Sequence, residues 1–470
     1  MILDICAGKL RKERKREQLS FLQRHFNFIE AIRHNTIPDK TTLKNITGVA
    51  WATLQNALEE FTQNHDNPIC MDNGFSLNHE YCIFAGISIG ATQIKLCFLD
   101  FCFNPINKNF FYNNDLSDVY EALSEGALKD EEIEQTDSNK DLFFCYEGED
   151  IRELLMLRLK KIIQCIKRID EVTGKVLSIG ISLPGIIDKK DLVVNFSPNI
   201  KCLRMIHVKD LISDELWMQL DSNGISVFFE HDTQAASIFE KEFLYKDEVH
   251  KELSLKKNIC CVYIAAGMGG SIIYNNMLLR GTTNSLGEFG HMDAPNINSS
   301  IINLPLSPEE EKDRKEYIEQ KKKKKEKNII CECGKINCLE NSFREDVFGI
   351  DNIDDYLELL RDSAKIKHYI KDHPYRYMLL KEYISRVVGS LINIYNPDLI
   401  IFSGRIIWEI PELKNELNTI KTKYAIGIPA GNCKVTLGSE RIYSAAAGAA
   451  ISSYHSIVSN ESFPNIVWKF

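Results

Sequence analysis

Apolar residues recur at helical spacing in three pieces between Phe21 and Asn64: "FLQRHFNFIEAIRHN", "KTTLKNIT" and "VAWATLQNALEEF". Only Gly48 separates the last two. Two short helices joined at a glycine, the second opening on small residues, predict a helix-turn-helix, with a three-helix packing cap as the alternative. "NPICMDNGFSLNHEYC" then supplies two strand-like pieces around Asp72-Asn73-Gly74, a hairpin signal and a candidate wing. At Ile83 the period changes, and "IFAGISIGATQIKLCFLD" predicts a strand, a turn at Gly90 and a second strand. Asn104–Asp150 is polar, acidic in its second half, and predicts an irregular excursion. Ile151–Ile169 is amphipathic, with Leu154, Leu155, Leu159, Ile162, Ile163 and Ile166 on one face. "VLSIGISLPG", Ile225–Glu230 and "NICCVYIAAGMGGSIIYNNMLL" continue the strand pattern, the last again split by glycines. Strands alternating with helices, with glycine turns at strand ends, point to an α/β fold that holds ligands at those ends.

Composition narrows the class. The 470 residues are 44% hydrophobic and 26% charged, enough for two or three compact units. A net charge of −9 excludes a wholesale nucleic-acid coat and leaves a local basic face possible. Within the first twenty residues, Lys9, Arg11, Lys12, Arg14, Lys15 and Arg16 outweigh Asp4, Glu13 and Glu17, a net +3. This stretch reads either as a solvated helix start or as a basic arm near phosphate. Ser307–Lys327 has acids early and lysines late, a self-capping helix that reads as a solvated insertion or, through its five consecutive lysines, as a nucleic-acid patch. Most of the 14 cysteines sit singly in apolar runs, as Cys97 and Cys165 do, the habit of reduced thiols in a cytosolic protein. The N-terminus places apolar residues before basic ones, the reverse of a signal peptide, and no apolar run approaches a membrane span. A soluble, cytoplasmic protein without a membrane partner is expected.

One short stretch carries metal chemistry. "ICECGKINCLEN" places Cys331, Cys333 and Cys338 around a glycine turn, and His291 stands 40 positions earlier among glycines that allow close backbone approach. Three thiolates and an imidazole make a closed structural zinc site, with no position left to activate water. The alternative is three unrelated buried cysteines and a surface histidine.

"GEFGHM" followed by "CECGKINCLEN" resembles the signature of the ROK family of repressors and sugar kinases, and the similarity runs from Gly86 to about Tyr454. "GISIGATQIKL" resembles that family's first phosphate loop, "ISLPGIID" the following strand and turn, and "EHDTQAASIFE" its catalytic-aspartate segment. "IAAGMGGSIIYNN" is similar to the second phosphate loop and "YNPDLIIFSGRI" to the adenosine-side strand; "LGSERIYSAAAGAA" also fits. The resemblance implies a two-lobed actin-like (sugar kinase/hsp70-like) α/β fold, a sugar in its cleft, and a small winged helix-turn-helix domain in front. It also implies roles for residues. Asp232 matches the catalytic base, Glu288, His291 and Glu340 match sugar ligands, Asn199 matches a further contact, and His231 replaces the family's frequent asparagine. A hexose presents several donor-acceptor hydroxyls, which convergent carboxylates, imidazole and amide can saturate.

The nucleotide side departs from the family's kinases. Where they carry an aspartate followed by Gly-Gly-Thr-Lys, this chain reads Ser88-Ile89-Gly90-Ala91-Thr92-Gln93. Ala265-Ala266-Gly267, followed by Gly269, replaces Gly-Thr-Gly, and Ser403-Gly404-Arg405 replaces a glycine-rich run. A serine cannot replace a carboxylate near magnesium, and an alanine methyl crowds a phosphate cradle. The expectation is therefore a sugar-responsive regulator that does not use Mg-ATP, with an ATP-dependent sugar kinase as its rival. Domains are expected at 1–78 (winged head with basic arm), 79–200 (N-terminal lobe with an insertion at about 104–150) and 201–470 (C-terminal lobe with the zinc clasp and a helical insertion at about 300–328), the final helix returning to the N-terminal lobe. Lys40, Lys44, Trp51, Thr53, Gln55 and Asn56 are the expected contacts to operator DNA, in a homodimer or homotetramer.

Overall fold

In the computed structural model the periodic stretch from Phe21 is the latter part of one long helix, α1 (Ile2–Arg33). Helix α2 (Lys40–Thr47) starts where the Asp39 carboxylate accepts from the Thr42 N–H at 2.7 Å. It stops at Gly48, whose φ of +68° is a left-handed cap that glycine tolerates. Helix α3 (Trp51–Gln63) turns Leu54, Ala57, Leu58 and Phe61 inward, and the Phe61 ring lies 5.2 Å from that of Phe21 on α1. A two-stranded hairpin, β1 (Ile69–Cys70) and β2 (Ser76–Leu77), follows with Ile69 opposite Leu77. The structure describes residues 2–35, 37–63, 67–71, 74–91, 93–125, 142–145, 151–188, 190–198, 200–246, 251–294, 305–323, 330–360, 362–439, 443–461, 464 and 466–468. Asp72 and Asn73 of the expected turn lie outside them.

Two five-stranded sheets follow, and they are built alike. The first contains β3 (Ile83–Ile89), β4 (Gln93–Asp100), β5 (Leu142–Cys145), β6 (Val176–Leu183) and, after a small sheet of β7 (Ile186–Ile187), β8 (Val193–Phe196) and β9 (Ile206–His207), β10 (Ser226–His231). Its order is β10-β6-β3-β4-β5. The second contains β11 (Ile259–Ile264), β12 (Met268–Tyr274), β13 (Met277–Leu279), β14 (Leu399–Ser403) and β15 (Lys434–Leu437), in the order β13-β12-β11-β14-β15. In each, three antiparallel strands form a meander and two more strands add in parallel on the other side of the first.

The chain divides into two compact units: residues 1–196, 202–239 and 443–470, and residues 197–201 and 240–442. The boundary expected at 200/201 does not coincide with this division. Residues 202–239 join the first unit because β10 hydrogen-bonds in parallel to β6. In that unit the final helix, Ser444–Ser459, lies so close to the sheet that a Cβ at Gly86 or Gly180 would stand 1.9 Å from the carbonyl oxygen of Ala446 or Ala449.

Three further expectations change. Asn104–Asp150 is not wholly irregular: helices α4 (Lys108–Asn113) and α5 (Ser117–Glu125) occupy its first half, and β5 adds to the sheet edge. The basic N-terminal segment is helical and exposes Lys9, Arg14 and Arg16, but its other basic residues are engaged by the lobe. Lys12 pairs with Asp221 at 2.7 Å, Lys15 with Asp170 at 2.6 Å, and Arg11 donates to the Glu171 carbonyl. The lysine-rich insertion is likewise more than a solvated appendage. Its helix, Pro308–Lys323, is capped reciprocally by Ser307 and Glu310, and its Asp313, Tyr317 and Lys321 engage Arg376, Asp346 and Glu345. No described helix is long and apolar enough to cross a membrane.

Candidate functional site

Glycines let the clasp form. A Cβ at Gly287, whose φ is +110°, would lie 2.1 Å from the Gly270 oxygen, and one at Gly290 would lie 2.3 Å from that of Met268. Without them the turn Phe289–His291 can press against β12, with Glu288 just before it. The chain then meets the cysteine segment through the bridge of Asp293 with Cys338, and that segment folds back on itself through the bridge of Ile330 with Ile336. His291, Cys331, Cys333 and Cys338 converge, their ligand atoms all within 4.8 Å of one another. Cys333 Sγ is 3.5 Å from Cys338 Sγ, and Cys331 Sγ is 3.7 Å from His291 Nδ1. Zinc bonds of about 2.0–2.3 Å require tetrahedral edges of roughly 3.3–3.8 Å. Donor set and spacing therefore fit a zinc ion, which would act there as a structural cross-link. Burial pushes the Cys338 thiol up to about 11 and raises that of Cys331 as well, so a cation would supply the charge that buried thiolates lack.

Three of the expected sugar ligands gather on this clasp. Glu340, in the first turn of the helix Leu339–Phe348, places Oε1 3.6 Å from His291 Nδ1 and 3.3 Å from Cys331 Sγ. Its Oε2 accepts from the Met268 N–H at 3.2 Å. On the other side of the imidazole, Glu288 Oε2 lies 3.7 Å from His291 Nε2. Glu288, His291 and Glu340 are 32%, 20% and 13% exposed, within reach of a small solute.

In the first unit, where helices α6 (Ile151–Thr173) and α7 (Asp214–Ser222) precede β6 and β10, His231 ends β10 and Asp232 opens helix α8 (Asp232–Lys246). His231 Nδ1 hydrogen-bonds the Thr233 hydroxyl at 2.9 Å, and the Thr233 N–H donates to Asp232 Oδ1 at 2.7 Å. The Asp232 side chain is 29% exposed. Asn199 and Thr92 lie outside the described residues. On the head, Trp51, Thr53, Gln55 and Asn56 are all exposed on α3, Lys40 is exposed on α2, and Lys44 Nζ stands 5.4 Å from the Trp51 ring centroid.

The ROK family model matches residues 124–453. The chain belongs to the ROK family. It is 23% identical over 319 residues to a xylose repressor of Caldicellulosiruptor bescii, covering 61% of this chain and 66% of that one. It is 34% identical over 116 residues to a xylose repressor of Bacillus subtilis (25% and 26% of the two chains). Over 121 residues it is 29% identical to a glucokinase of Streptomyces coelicolor (26% and 33%). The chain thus spans less than two thirds of the length of these relatives. A solved ROK family transcriptional regulator, a homolog of the E. coli MLC protein, superposes with a TM-score of 0.57 over 92% of this chain and 97% of that one, at 16% identity. That likeness shows the fold: an actin-like α/β architecture preceded by a helix-turn-helix head.

The described positions matched to the ROK nucleotide side lie at strand ends and in the turns beside them. Ser88 is buried in β3, in register with Lys95 and Ser182, and Gly90 follows that strand's end. Ala265 N–H closes a tight turn on the Gly267 oxygen at 3.0 Å, and the Tyr356 hydroxyl donates to the Ala265 oxygen at 3.3 Å. Gly269 belongs to the ladder, opposite Tyr263. Gly404, with φ +106°, would bring a Cβ within 2.4 Å of the Ile264 oxygen. Two groups escape sequence reading. Glu240, on α8, is buried and accepts from the Ser403 hydroxyl and from the Ser439 hydroxyl and N–H, and burial pushes its carboxyl up to about 7. Its only sequence signal is an acid inside the small and apolar run "AASIFE". Met268 contributes a backbone amide, which no residue type announces.

Proposed function

We propose that this chain is a sugar-responsive transcriptional regulator. In this reading Glu288, His291 and Glu340 bind a monosaccharide, and α2 and α3 bind operator DNA. The observation that carries it is the exposed face of α3, where Trp51, Thr53, Gln55 and Asn56 are displayed while Leu54, Ala57, Leu58 and Phe61 are buried. Asn and Gln side chains pair with adenine edges, and threonine contacts thymine methyls. Likeness to xylose repressors supports an aldose effector, a pentose, hexose or aminosugar, whose hydroxyls the two carboxylates and the imidazole can satisfy. Zinc in the clasp would hold His291 and the start of Glu340's helix. His231 and Asp232 are assigned hydroxyl-binding roles on the motif match alone. Two heads in a dimer or tetramer would meet half-sites about 34–36 Å apart, so a sugar-dependent change in head spacing would alter affinity.

The kinase reading is supported by Asp232, 29% exposed at the head of α8, and by the likeness to a glucokinase of Streptomyces coelicolor. A coupled assay with Mg-ATP and D-glucose, D-xylose or N-acetylglucosamine decides between them. The regulator reading predicts calorimetric binding of at least one sugar without turnover. Turnover that disappears in Asp232→Asn would replace it with the kinase reading.

A further inference from the structure

The two oxygens of Glu340 have different neighbours. Oε1 lies 3.6 Å from His291 Nδ1 and 3.3 Å from Cys331 Sγ, whereas Oε2 accepts from the Met268 backbone N–H at 3.2 Å. That approach depends on residue 290. A Cβ on Gly290 would come within 3.0 Å of Glu340 Oε2 and 2.3 Å of the Met268 oxygen. The donor is itself held firmly. Met268 begins β12 opposite Ile264, and the preceding turn is closed by the Ala265 N–H on the Gly267 oxygen and by the Tyr356 hydroxyl on Ala265.

We infer that the Met268 N–H, reached across Gly290, is a positioning group that fixes the plane of the Glu340 carboxylate and thereby determines which sugar hydroxyl Glu340 can accept from. The inference rests on the sugar reading above and adds its specificity element. A carboxylate free to rotate about its terminal bond accepts from hydroxyls in many directions. One oxygen anchored to a rigid amide leaves the other at a fixed angle beside His291. Epimers differ in the direction of one hydroxyl, so a fixed plane discriminates where a mobile one does not.

Two variants separate this role from simple packing. Met268→Pro removes the N–H at the first residue of a strand, a position that tolerates proline. Glu340→Gln keeps an oxygen for Met268 and is thereby forced to turn its NH2 toward His291. The exchange rate of the Met268 amide, followed by NMR in the full chain, reads the anchor without any sugar. Glu340→Ala should accelerate it about tenfold or more, as loss of a charged hydrogen-bond acceptor implies. An unchanged rate would overturn the inference. Titrations with D-xylose and D-glucose read the consequence. Met268→Pro should bring the ratio of their dissociation constants at least about fivefold closer to one, with zinc content as in the unsubstituted chain. Combining it with Glu340→Gln should restore part of the affinity that Glu340→Gln alone loses, because the amide can then flip. A ratio unmoved by Met268→Pro, or losses that simply add, would contradict the positioning role. If the unsubstituted chain binds neither sugar, the choice of effector falls, and the amide exchange alone still decides whether Met268 anchors Glu340.

Discussion

Lys15 Nζ lies 2.6 Å from Asp170 Oδ1, and both side chains are buried. Lys15 also donates to the Asn223 carbonyl, and Asp170 accepts from the Val176 N–H, so the pair ties α1 to α6 (Ile151–Thr173) and to the start of β6. Burial dominates both groups, lowering the lysine's pKa and raising the aspartate's, while their mutual attraction opposes it. Helix α1 also carries the head, through Phe21 and His25 against Phe61. The contact of α1 with the lobe therefore contains a buried ion pair beside the exposed one of Lys12 with Asp221.

Breaking such a pair costs more than deleting it. Asp170→Asn should destabilise the protein by about 3–5 kcal/mol in urea unfolding, because Lys15 is left buried opposite a neutral group. The double variant Lys15→Met with Asp170→Leu should recover most of that loss. A single-variant cost below about 1 kcal/mol would show that water reaches the pair.

The buried Glu240 gives a pH signature. Its folded pKa of about 7 exceeds the ordinary 4.5. Between those values the folded chain keeps a proton that the unfolded chain has lost. Stability should therefore fall as pH rises through that window and level off above it, by a total on the order of 3 kcal/mol. Glu240→Gln should flatten this part of the curve. A stability profile that keeps the same slope in the variant would assign it to other groups.

Close packing of the final helix predicts a contrast between glycines. Gly86→Ala would put a methyl 1.9 Å from the Ala446 oxygen, whereas a Cβ at Gly431 meets nothing within 4 Å. The first should cost about 3 kcal/mol or more and the second should be neutral or stabilising by up to about 1 kcal/mol. Thermal melts of the two variants suffice. Equal melting temperatures would refute the packing.

Much of this architecture is written in the chain's periodicities. The strand-turn-strand of β3 and β4 is legible because Ile83–Ile89 is apolar except for Ser88 and Gly90 interrupts it, and α6 because its leucines and isoleucines share a face. The clasp is legible through cysteine spacing and the glycines around His291. What sequence conceals depends on partners distant along the chain. Lys15 and Lys12 of α1 look like their exposed basic neighbours until Asp170 and Asp221 are placed beside them, and nothing local assigns β10 to the first sheet. Asp313 and Lys321, in a helix whose composition suggests solvent, find Arg376 and Asp346 only in three dimensions. The Met268 amide carries no side-chain signal.

The clasp makes a chemical prediction. Cys338→Ser, or treatment with a strong chelator, should remove one zinc per chain and weaken monosaccharide binding by about tenfold or more, the usual scale for losing a group that orients a site. Metal analysis beside calorimetry would check both. Full sugar affinity in a zinc-free chain would separate the clasp from the site.

The most direct test of the regulator account is fluorescence anisotropy of the full chain on the DNA upstream of its own gene, with and without D-xylose or D-glucose, across a salt series. The account predicts salt-dependent binding that one of the sugars shifts about tenfold or more and that Gln55→Ala or Asn56→Ala weakens by about 1–3 kcal/mol. Binding that neither sugar nor these substitutions alter, or none at low salt, would contradict it.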